Sequence, residues 1–255
     1  VIDSRPVIRG DSLYTIVAGP SWTNAEANAE IVGGHLTTIS SQTENDFIYN
    51  RFKDVSIEYS WIGLNDKSVE GQFTWVDGSP LTYQNWFPEN QTSYAAQIED
   101  EVFIGLTNPD SIQGKWLDAS DAYHFPGIAE VPLTLSITQS AQPKEGNGGF
   151  TTSIGLSAGT ADSGNLAEGA QVWWKVDGIT QDDLASGALT GSGYITNGKL
   201  DIQHSLVSDT DTGEQFSISV YSDQGMTQQI GATHSLGIAD TSVSIINDTP
   251  NGNEV

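Results

Sequence analysis

The sequence predicts an α+β domain followed by an all-β sandwich domain. Residues 11–130 mix helix and strand signals, whereas beyond Val131 short segments alternate apolar and polar residues between Gly-, Asp- and Ser-rich turns. The chain has 255 residues, which is enough for two ordinary domains. We therefore predict a first domain at residues 1–130, a β-sandwich at 131–249 and a linker or tail at 250–255.

Two helices are predicted in the first domain. Thr23 and Glu26 have the spacing of a capping box, in which each residue satisfies a free backbone N–H of the first helical turn. Ser41 and Glu44 have the same spacing ahead of a second apolar stripe. Each pair therefore predicts a helix start.

Acidic residues follow the next predicted strand. A short apolar run at residues 61–65 precedes Asp66 and Glu70, and a second aromatic segment ends at Trp75. This order is typical of a β-scaffold whose acidic side chains project into loops. Carboxylate oxygens are the ligands that calcium prefers.

The second domain shows strand alternation throughout. Thr196-Asn197-Gly198-Lys199 separates two such segments and predicts a type I′ hairpin turn. Several short strands with polar turns predict an Ig-like sandwich. Trp173 and Trp174 are adjacent, so on a strand they face opposite sides: one fills the core, and the other lies under a loop, at a domain contact or exposed as a sugar-stacking surface.

The charge balance limits the partners. Lys plus Arg number 9 against 33 Asp plus Glu, a formal charge of −24. Such a chain repels phosphate backbones and anionic lipid, so we expect no nucleic acid partner. No long apolar run is present, so we expect no membrane insertion and see no signal peptide. Because the sequence starts at Val1, we expect a processed product or a piece of a longer chain.

The residue types give no support for catalysis. The chain has no cysteine, hence no thiol chemistry and no disulfide, and its four histidines show no metal-binding spacing. Paired carboxylates occur throughout so acidic a chain and single out no acid–base pair. We therefore predict that the protein is not an enzyme.

Residues 11–131 resemble the C-type lectin-like domain. The resemblance rests on an ordered set of segments: Tyr14, Trp22, Ala25, Gly33-Gly34-His35-Leu36, Ile39, Trp61-Ile62-Gly63-Leu64, Gly114-Lys115-Trp116-Leu117-Asp118 and Gly127-Ile128-Ala129-Glu130. In that setting His35 is expected to be structural. The family's loops bind calcium and often sugars, so the resemblance implies Ca²⁺ as the cofactor.

The resemblance also implies site residues. An auxiliary calcium site of the family matches Asp66, Glu70 and Asp100, with Glu99 close by. The sugar-binding region matches Glu89, Asn90, Glu99, Trp116 and Asp118. Leu117 stands where the family has an amide ligand, and a leucine can neither coordinate calcium nor bond a hydroxyl.

The family's two disulfides have no counterpart here. Their positions match Ala29 with Ala129, and Glu101 with Asp121. The alanine pair suits a buried site. Two facing carboxylates repel each other, and we expect them either to splay into water or to be bridged by a cation or by Lys115.

Residues 131–249 resemble a Calx-β-type sandwich. The matching segments are residues 144–146, 173–176, 182–187, 212–216 and 246–248. That family binds calcium through acids at one end of the sandwich. The positions implied here are Glu145, Asp182, Asp183, Asp209, Asp211, Glu214 and Asp248, with ordinary turn formation as the alternative.

Together these observations predict an extracellular or cell-surface, calcium-binding adhesion or recognition module of a bacterial surface protein. It would bind a carbohydrate or protein ligand through the lectin-like loops. The alternative is a structural subunit of a surface filament or a virion, in which the same surface serves self-assembly.

Overall fold

The computed structural model describes residues 7–88, 99–107, 112–146, 148–209 and 212–241. The first part of the chain forms two helices and eight strands: β1 (Val7–Arg9), β2 (Ser12–Val17), α1 (Trp22–Ile31), β3 (His35–Leu36), α2 (Gln42–Phe52), β4 (Tyr59–Asn65), β5 (Thr74–Trp75), β6 (Glu101–Gly105), β7 (Trp116–Ala119) and β8 (Gly127–Pro132). Among the described residues, no helix is long and apolar enough to cross a membrane.

These strands form one sheet with the order β1-β2-β8-β4-β6-β7, to which β3 adds beside β8 and β5 beside β4. The arrangement brings the end of β4 next to the start of β6, where Asn65 pairs with Glu101. Asp118 on β7 pairs with Val102 on β6. Acids far apart in the sequence therefore meet at one end of the sheet.

The N-cap of helix α1 lies two residues before the predicted one. The Ser21 hydroxyl accepts a hydrogen bond from the backbone N–H of Asn24, so Ser21 is the N-cap and the prediction of Thr23 is wrong. Glu26 instead accepts from the backbone N–H of Leu36. Trp22, Ala25 and Ala29 form the buried face of the helix, so packing fixes its position.

Helix α2 begins as predicted. The Ser41 hydroxyl accepts from the backbone N–H of Glu44 at 3.2 Å. The Glu44 carboxylate accepts from the N–H and the hydroxyl of Ser40, one residue before the predicted partner. Ile48 and Phe52 are buried under the sheet.

The second part of the chain contains eight strands and a 3₁₀ turn at Gln181–Asp183. The strands are β9 (Thr134–Gln139), β10 (Gly149–Ser157), β11 (Gln171–Asp177), β12 (Leu184–Ser186), β13 (Thr190–Tyr194), β14 (Lys199–Leu206), β15 (Gln215–Tyr221) and β16 (Gln229–Gly237). They form two four-stranded sheets, β12-β14-β10-β9 and β13-β11-β15-β16. The inner faces share one apolar core that includes Phe150, Ile154, Trp174 and Phe216.

The predicted type I′ turn is present, but its flanking strands do not pair along their length. Asn197 and Gly198 have φ of 54° and 75°, as this turn requires. Strand β13 belongs to one sheet and β14 to the other. The hairpin prediction is therefore wrong beyond the turn itself, where Thr196 bridges to Lys199.

The two parts of the chain share apolar and polar contacts. Leu13 and Val131 are buried in the same cluster as the sandwich core. The Asp11 carboxylate accepts from the backbone N–H of Gly231 at 2.5 Å, and the Ser222 hydroxyl accepts from the N–H of Gly10 at 3.0 Å. The β1–β2 turn is thus anchored on the sandwich.

Candidate functional site

The loop after β4 holds a buried carboxylate. Asp66 is only 1% exposed, and its backbone N–H donates to the carbonyl of Asp100 at 3.0 Å. Its Oδ2 accepts from the backbone N–H of Gly71 at 2.6 Å. Its Oδ1 is buried and has no hydrogen-bond partner among the described residues. Burial raises the pKa of Asp66, and the charge of Asp100 raises it further against the effect of the Gly71 bond.

Asp118 on β7 lies within electrostatic range of the same group. Burial is the largest cause that raises the pKa of Asp118, to about 8, and the charges of Asp66, Glu99 and Glu70 add to it. Asp66, Glu70, Glu99, Asp100 and Asp118 will be called the acidic site. The fold brings these five predicted residues to one end of the sheet.

The side chains of the acidic site are of the type that calcium prefers. Calcium takes six to eight oxygen ligands, and carboxylates are its commonest protein donors. A buried carboxylate oxygen without a partner is costly unless a cation or a donor satisfies it. The unpartnered Oδ1 of Asp66 is such an oxygen. A cation here would also offset the mutual repulsion that raises the pKa of Asp118.

The predicted sugar-contact residues divide into three cases. Glu89 and Asn90 lie outside the described residues. Glu99 and Asp118 belong to the acidic site. Trp116 is fully buried, and its indole N–H donates to the amide oxygen of Asn45 at 2.8 Å. The prediction that Trp116 contacts a ligand is wrong, because its ring fills the core between helix α2 and the sheet.

A second acidic group lies at one end of the sandwich. Atoms of Glu145, Asp209 and Glu214 lie within 4.8 Å of one another, and all three were predicted as metal ligands. Glu145 is buried, and its Oε2 accepts from the backbone N–H of Thr241 at 3.4 Å. Three separate loops thus bring these carboxylates together.

Two other predicted acids of the sandwich that the structure describes, Asp182 and Asp183, are not part of that group. Asp183 caps the 3₁₀ turn, since its Oδ2 accepts from the N–H and hydroxyl of Thr180. Asp182 is exposed. The turn-forming alternative therefore describes Asp183 correctly. Asp211 and Asp248 lie outside the described residues.

One further group of potential metal ligands was not predicted from the sequence. Atoms of Glu26, Glu30 and His35 lie within 4.8 Å of one another. Nδ1 of His35 lies 2.6 Å from Oε1 of Glu26, whose other oxygen accepts from the backbone N–H of Leu36. The i, i+4 spacing of the two glutamates on α1 was the available signal. The Glu26 contacts fix β3 against α1, in keeping with the expected structural role of His35.

Part of the chain is similar to known proteins. Residues 19–98 match the family model of the lectin C-type domain. The versican core protein of Rattus norvegicus is 41% identical over 105 residues, which make up 41% of this chain and 4% of that protein. Residues 19–98 are therefore similar to the C-type lectin domain. The match to the versican core protein of Homo sapiens has the same identity and covers 3% of its length.

Solved structures include similar chains. A crystal structure of the cow C-type carbohydrate-recognition domain of CD23, in the presence of a GlcNAc2Man3 oligosaccharide, is 31% identical. The similarity covers 51% of this chain and 94% of that one, with a TM-score of 0.44. The chain spans only a small part of the versican core proteins that it matches.

Both disulfide positions that the resemblance implies are occupied by other interactions. Ala29 and Ala129 are both fully buried in one apolar cluster, as predicted. Nζ of Lys67 lies 2.9 Å from Oε1 of the buried Glu101. Asp121 instead accepts from the backbone N–H of Thr23 at 3.2 Å, at the start of α1. Of the acidic pair, Glu101 is therefore neutralised by a lysine, and Asp121 bonds to the backbone instead.

That lysine is not the predicted one. Nζ of Lys115 donates to the amide oxygen of Asn85 at 2.7 Å, so its predicted bridging role is wrong. Lys67 also donates to the Thr23 hydroxyl and lies 4.4 Å from the centroid of the Trp22 ring. Lys67 thus joins the loop that carries Asp66 to the start of α1.

Proposed function

We propose that this chain is an extracellular recognition module whose C-type lectin domain binds calcium at the acidic site and a carbohydrate or protein ligand through the neighbouring loops. The observation that carries the proposal is Asp66. Its carboxylate is 1% exposed, holds one oxygen without a partner among the described residues, and faces other acids. The similarity to the lectin C-type family model supports it.

Asp66, Glu70, Glu99, Asp100 and Asp118 would hold the ion. Bound calcium supplies positive charge and coordination positions for ligand oxygens. The protein's own part is to hold the loops in place. The Gly71 N–H orients the Asp66 carboxylate, and the Asp66 N–H ties the loop to the strand that begins at Glu101.

The finer points of the proposal rest on sequence. A role in adhesion at a bacterial surface is supported by the cysteine-free, acidic composition. A Calx-β-type calcium site in the sandwich is supported by the convergence of Glu145, Asp209 and Glu214. The filament or virion alternative stays a prediction, since nothing in the described ranges favours assembly over ligand binding.

Thermal melting tests the calcium part. Calcium at 100 times its dissociation constant should stabilise the wild-type chain by about 2.7 kcal/mol per site. In Asp66→Asn, calcium should stabilise the chain by one site's contribution less. Calorimetric titration should show one calcium fewer bound than in wild type. In EDTA the variant should be at least as stable as wild type, because an amide is not repelled by the neighbouring carboxylates. Asp54→Asn, at an exposed helix-end position, is the matched control and should keep the full effect.

A glycan array probed in millimolar calcium and again in EDTA tests the recognition part. Calcium-dependent binding that Asp66→Asn removes would support a lectin. If the wild-type chain binds calcium but no sugar on the array, the carbohydrate part of the proposal fails and the protein-ligand part is tested next. If Asp66→Asn keeps the same calcium stoichiometry as wild type, the acidic site is not the calcium site.

A further inference from the structure

The outer face of the sheet β13-β11-β15-β16 carries three aromatic side chains in adjacent positions. Trp173 on β11 pairs with Tyr221 on β15. Tyr194 on β13 pairs with Gln171, two residues before Trp173 on the same strand. Val172 and Trp174 point into the core, so Trp173 points outward. Directly paired residues on one face, such as Trp173 and Tyr221, lie about 4.5–5.5 Å apart at Cβ, and diagonal ones, such as Trp173 and Tyr194, about 7–8 Å. These three side chains will be called the aromatic row.

The described part of the chain leaves the aromatic row partly exposed. Tyr194 is 48% exposed, and Trp173 and Tyr221 are both partly exposed. The nearest part of the lectin domain contacts Ser222 and Gly231, at the end of this sheet rather than on its face. The row therefore borders the contact between the two domains and remains accessible. Of the adjacent pair, Trp174 therefore fills the core and Trp173 is the partly exposed member.

The surface around the aromatic row is polar and almost uncharged. Hydroxyl and amide groups surround the rings: Gln171, Thr190, Ser192, Ser217, Ser219 and Gln229. Of the outward positions on β11, β13 and β15, all of them described, only Asp177 is acidic, and its Oδ1 lies 2.6 Å from Nζ of Lys175. The face therefore offers mainly neutral hydrogen-bonding groups beside the rings.

We propose that this face binds a neutral oligosaccharide, with pyranose rings stacked on Trp173 and Tyr221. The C–H face of a sugar packs on an aromatic ring, and its hydroxyls bond to the surrounding amide and hydroxyl groups. β-1,4-Linked chains fit best, because their equatorial linkages keep the chain extended and let successive ring faces lie along a flat surface. A protein partner would need a larger apolar centre than three rings provide. This site is separate from the acidic site and needs no calcium.

Hydrogen bonds between β15 and β16 order part of this face before any ligand binds. The hydroxyls of Ser217 and Ser235 lie 2.8 Å apart, and those of Ser219 and Thr233 lie 2.7 Å apart. These bonds across β15 and β16 fix the surface next to Tyr221. Rings and hydroxyls that are already ordered lose little entropy when a sugar binds.

Calorimetric titration of the full chain in EDTA tests the proposal. The probes are the neutral β-1,4-linked hexasaccharides of glucose, mannose and xylose. At least one should bind, and Trp173→Ala should weaken that binding by about tenfold or more. Trp173→Phe, which keeps a ring, should lose less. The control is Tyr123→Ala, which removes a 53% exposed tyrosine from the lectin domain and should have no effect.

Each result of this titration either supports or overturns the oligosaccharide site. Binding in EDTA that Trp173→Ala weakens and Tyr123→Ala does not would establish the site. Failure of all three sugars to bind in EDTA would overturn it, as would equal affinity of wild type and a Trp173→Ala variant with an unchanged melting temperature. Asp66→Asn should leave binding in EDTA intact, so loss of the calcium-dependent function would not affect this result.

Discussion

At Asp118, burial and three neighbouring acids combine to hold the pKa at about 8 when no cation is bound. The folded carboxyl therefore takes up a proton more readily than the unfolded one. Between pH 4 and pH 8 the native state binds more protons than the unfolded state, so this group makes stability fall as pH rises. Calcium reverses the preference, since a ligand carboxylate must be ionised.

We predict that, in EDTA, the free energy of unfolding decreases from pH 5 to pH 8, and that Asp118→Asn flattens this slope. With saturating calcium, the wild-type chain should instead be more stable at pH 8 than at pH 5. Urea denaturation at the two pH values, with and without calcium, measures both effects. Identical slopes for wild type and Asp118→Asn in EDTA would contradict the prediction.

Lys67 provides a second test at the scale of single residues. Its ammonium group lies 2.9 Å from the carboxylate of Glu101, which is 2% exposed. Lys67→Met should cost about 3–5 kcal/mol, because it leaves a buried carboxylate without its cation. The double variant Lys67→Met/Glu101→Met should recover most of that loss. Lys53→Met, at the end of α2, is the control and should change stability little.

Chemical denaturation measures these four chains together. If Lys67→Met were as stable as wild type, the ion pair would not stabilise the loop. If the double variant stayed as unstable as the single one, the loss would come instead from the contact of Lys67 with Trp22.

The helices and strands were largely predictable because their signals are local. The Ser41 cap is read directly from its spacing to Glu44. Ser21 was missed because Glu26, three residues after Thr23, imitates a capping box while it serves β3 instead. The Thr196–Lys199 turn was predicted, but not that its strands belong to different sheets. Local chemistry specifies a turn, whereas core packing decides which sheet a strand joins.

Close packing between β3 and β8 depends on a glycine. A Cβ at Gly34 would lie 2.0 Å from the carbonyl oxygen of Glu130, which is backbone and cannot swing away. We predict that Gly34→Ala destabilises the protein by about 1–3 kcal/mol or more. Gly237→Ala on β16 is the control, since its Cβ would meet nothing within 4 Å. Equal melting temperatures for the two variants would contradict this close approach.

Over the whole molecule, the acidic site shows what sequence can and cannot supply. Spacing and resemblance named Asp66, Glu70, Glu99, Asp100 and Asp118. They did not reveal that Lys67 rather than Lys115 neutralises Glu101, because that pair joins a loop to a strand 34 residues later. They also missed the burial of Trp116, which depends on helix α2. Such contacts are set by how distant segments pack together.

The shared core of the two domains leads to the last prediction. Leu13 and Leu106 are both buried leucines of the first domain, but only Leu13 packs in the cluster of the sandwich. Truncation of either to Ala should cost about 2–5 kcal/mol. Leu13→Ala should also loosen the sandwich where the β1–β2 turn is anchored.

Native-state hydrogen exchange distinguishes the two variants. Leu13→Ala should speed exchange at β16 amides near Ile230, whereas Leu106→Ala should speed exchange only in the first domain. Both variants must be compared at equal loss of global stability, so that only the pattern differs. If Leu13→Ala, like Leu106→Ala, left exchange in the sandwich unchanged, the Leu13 contact would not couple the two domains. If only Leu13→Ala reaches the sandwich, the contact fixes the orientation of the lectin loops relative to the aromatic row. The two surfaces would then face their ligands at a set angle without any calcium at the junction.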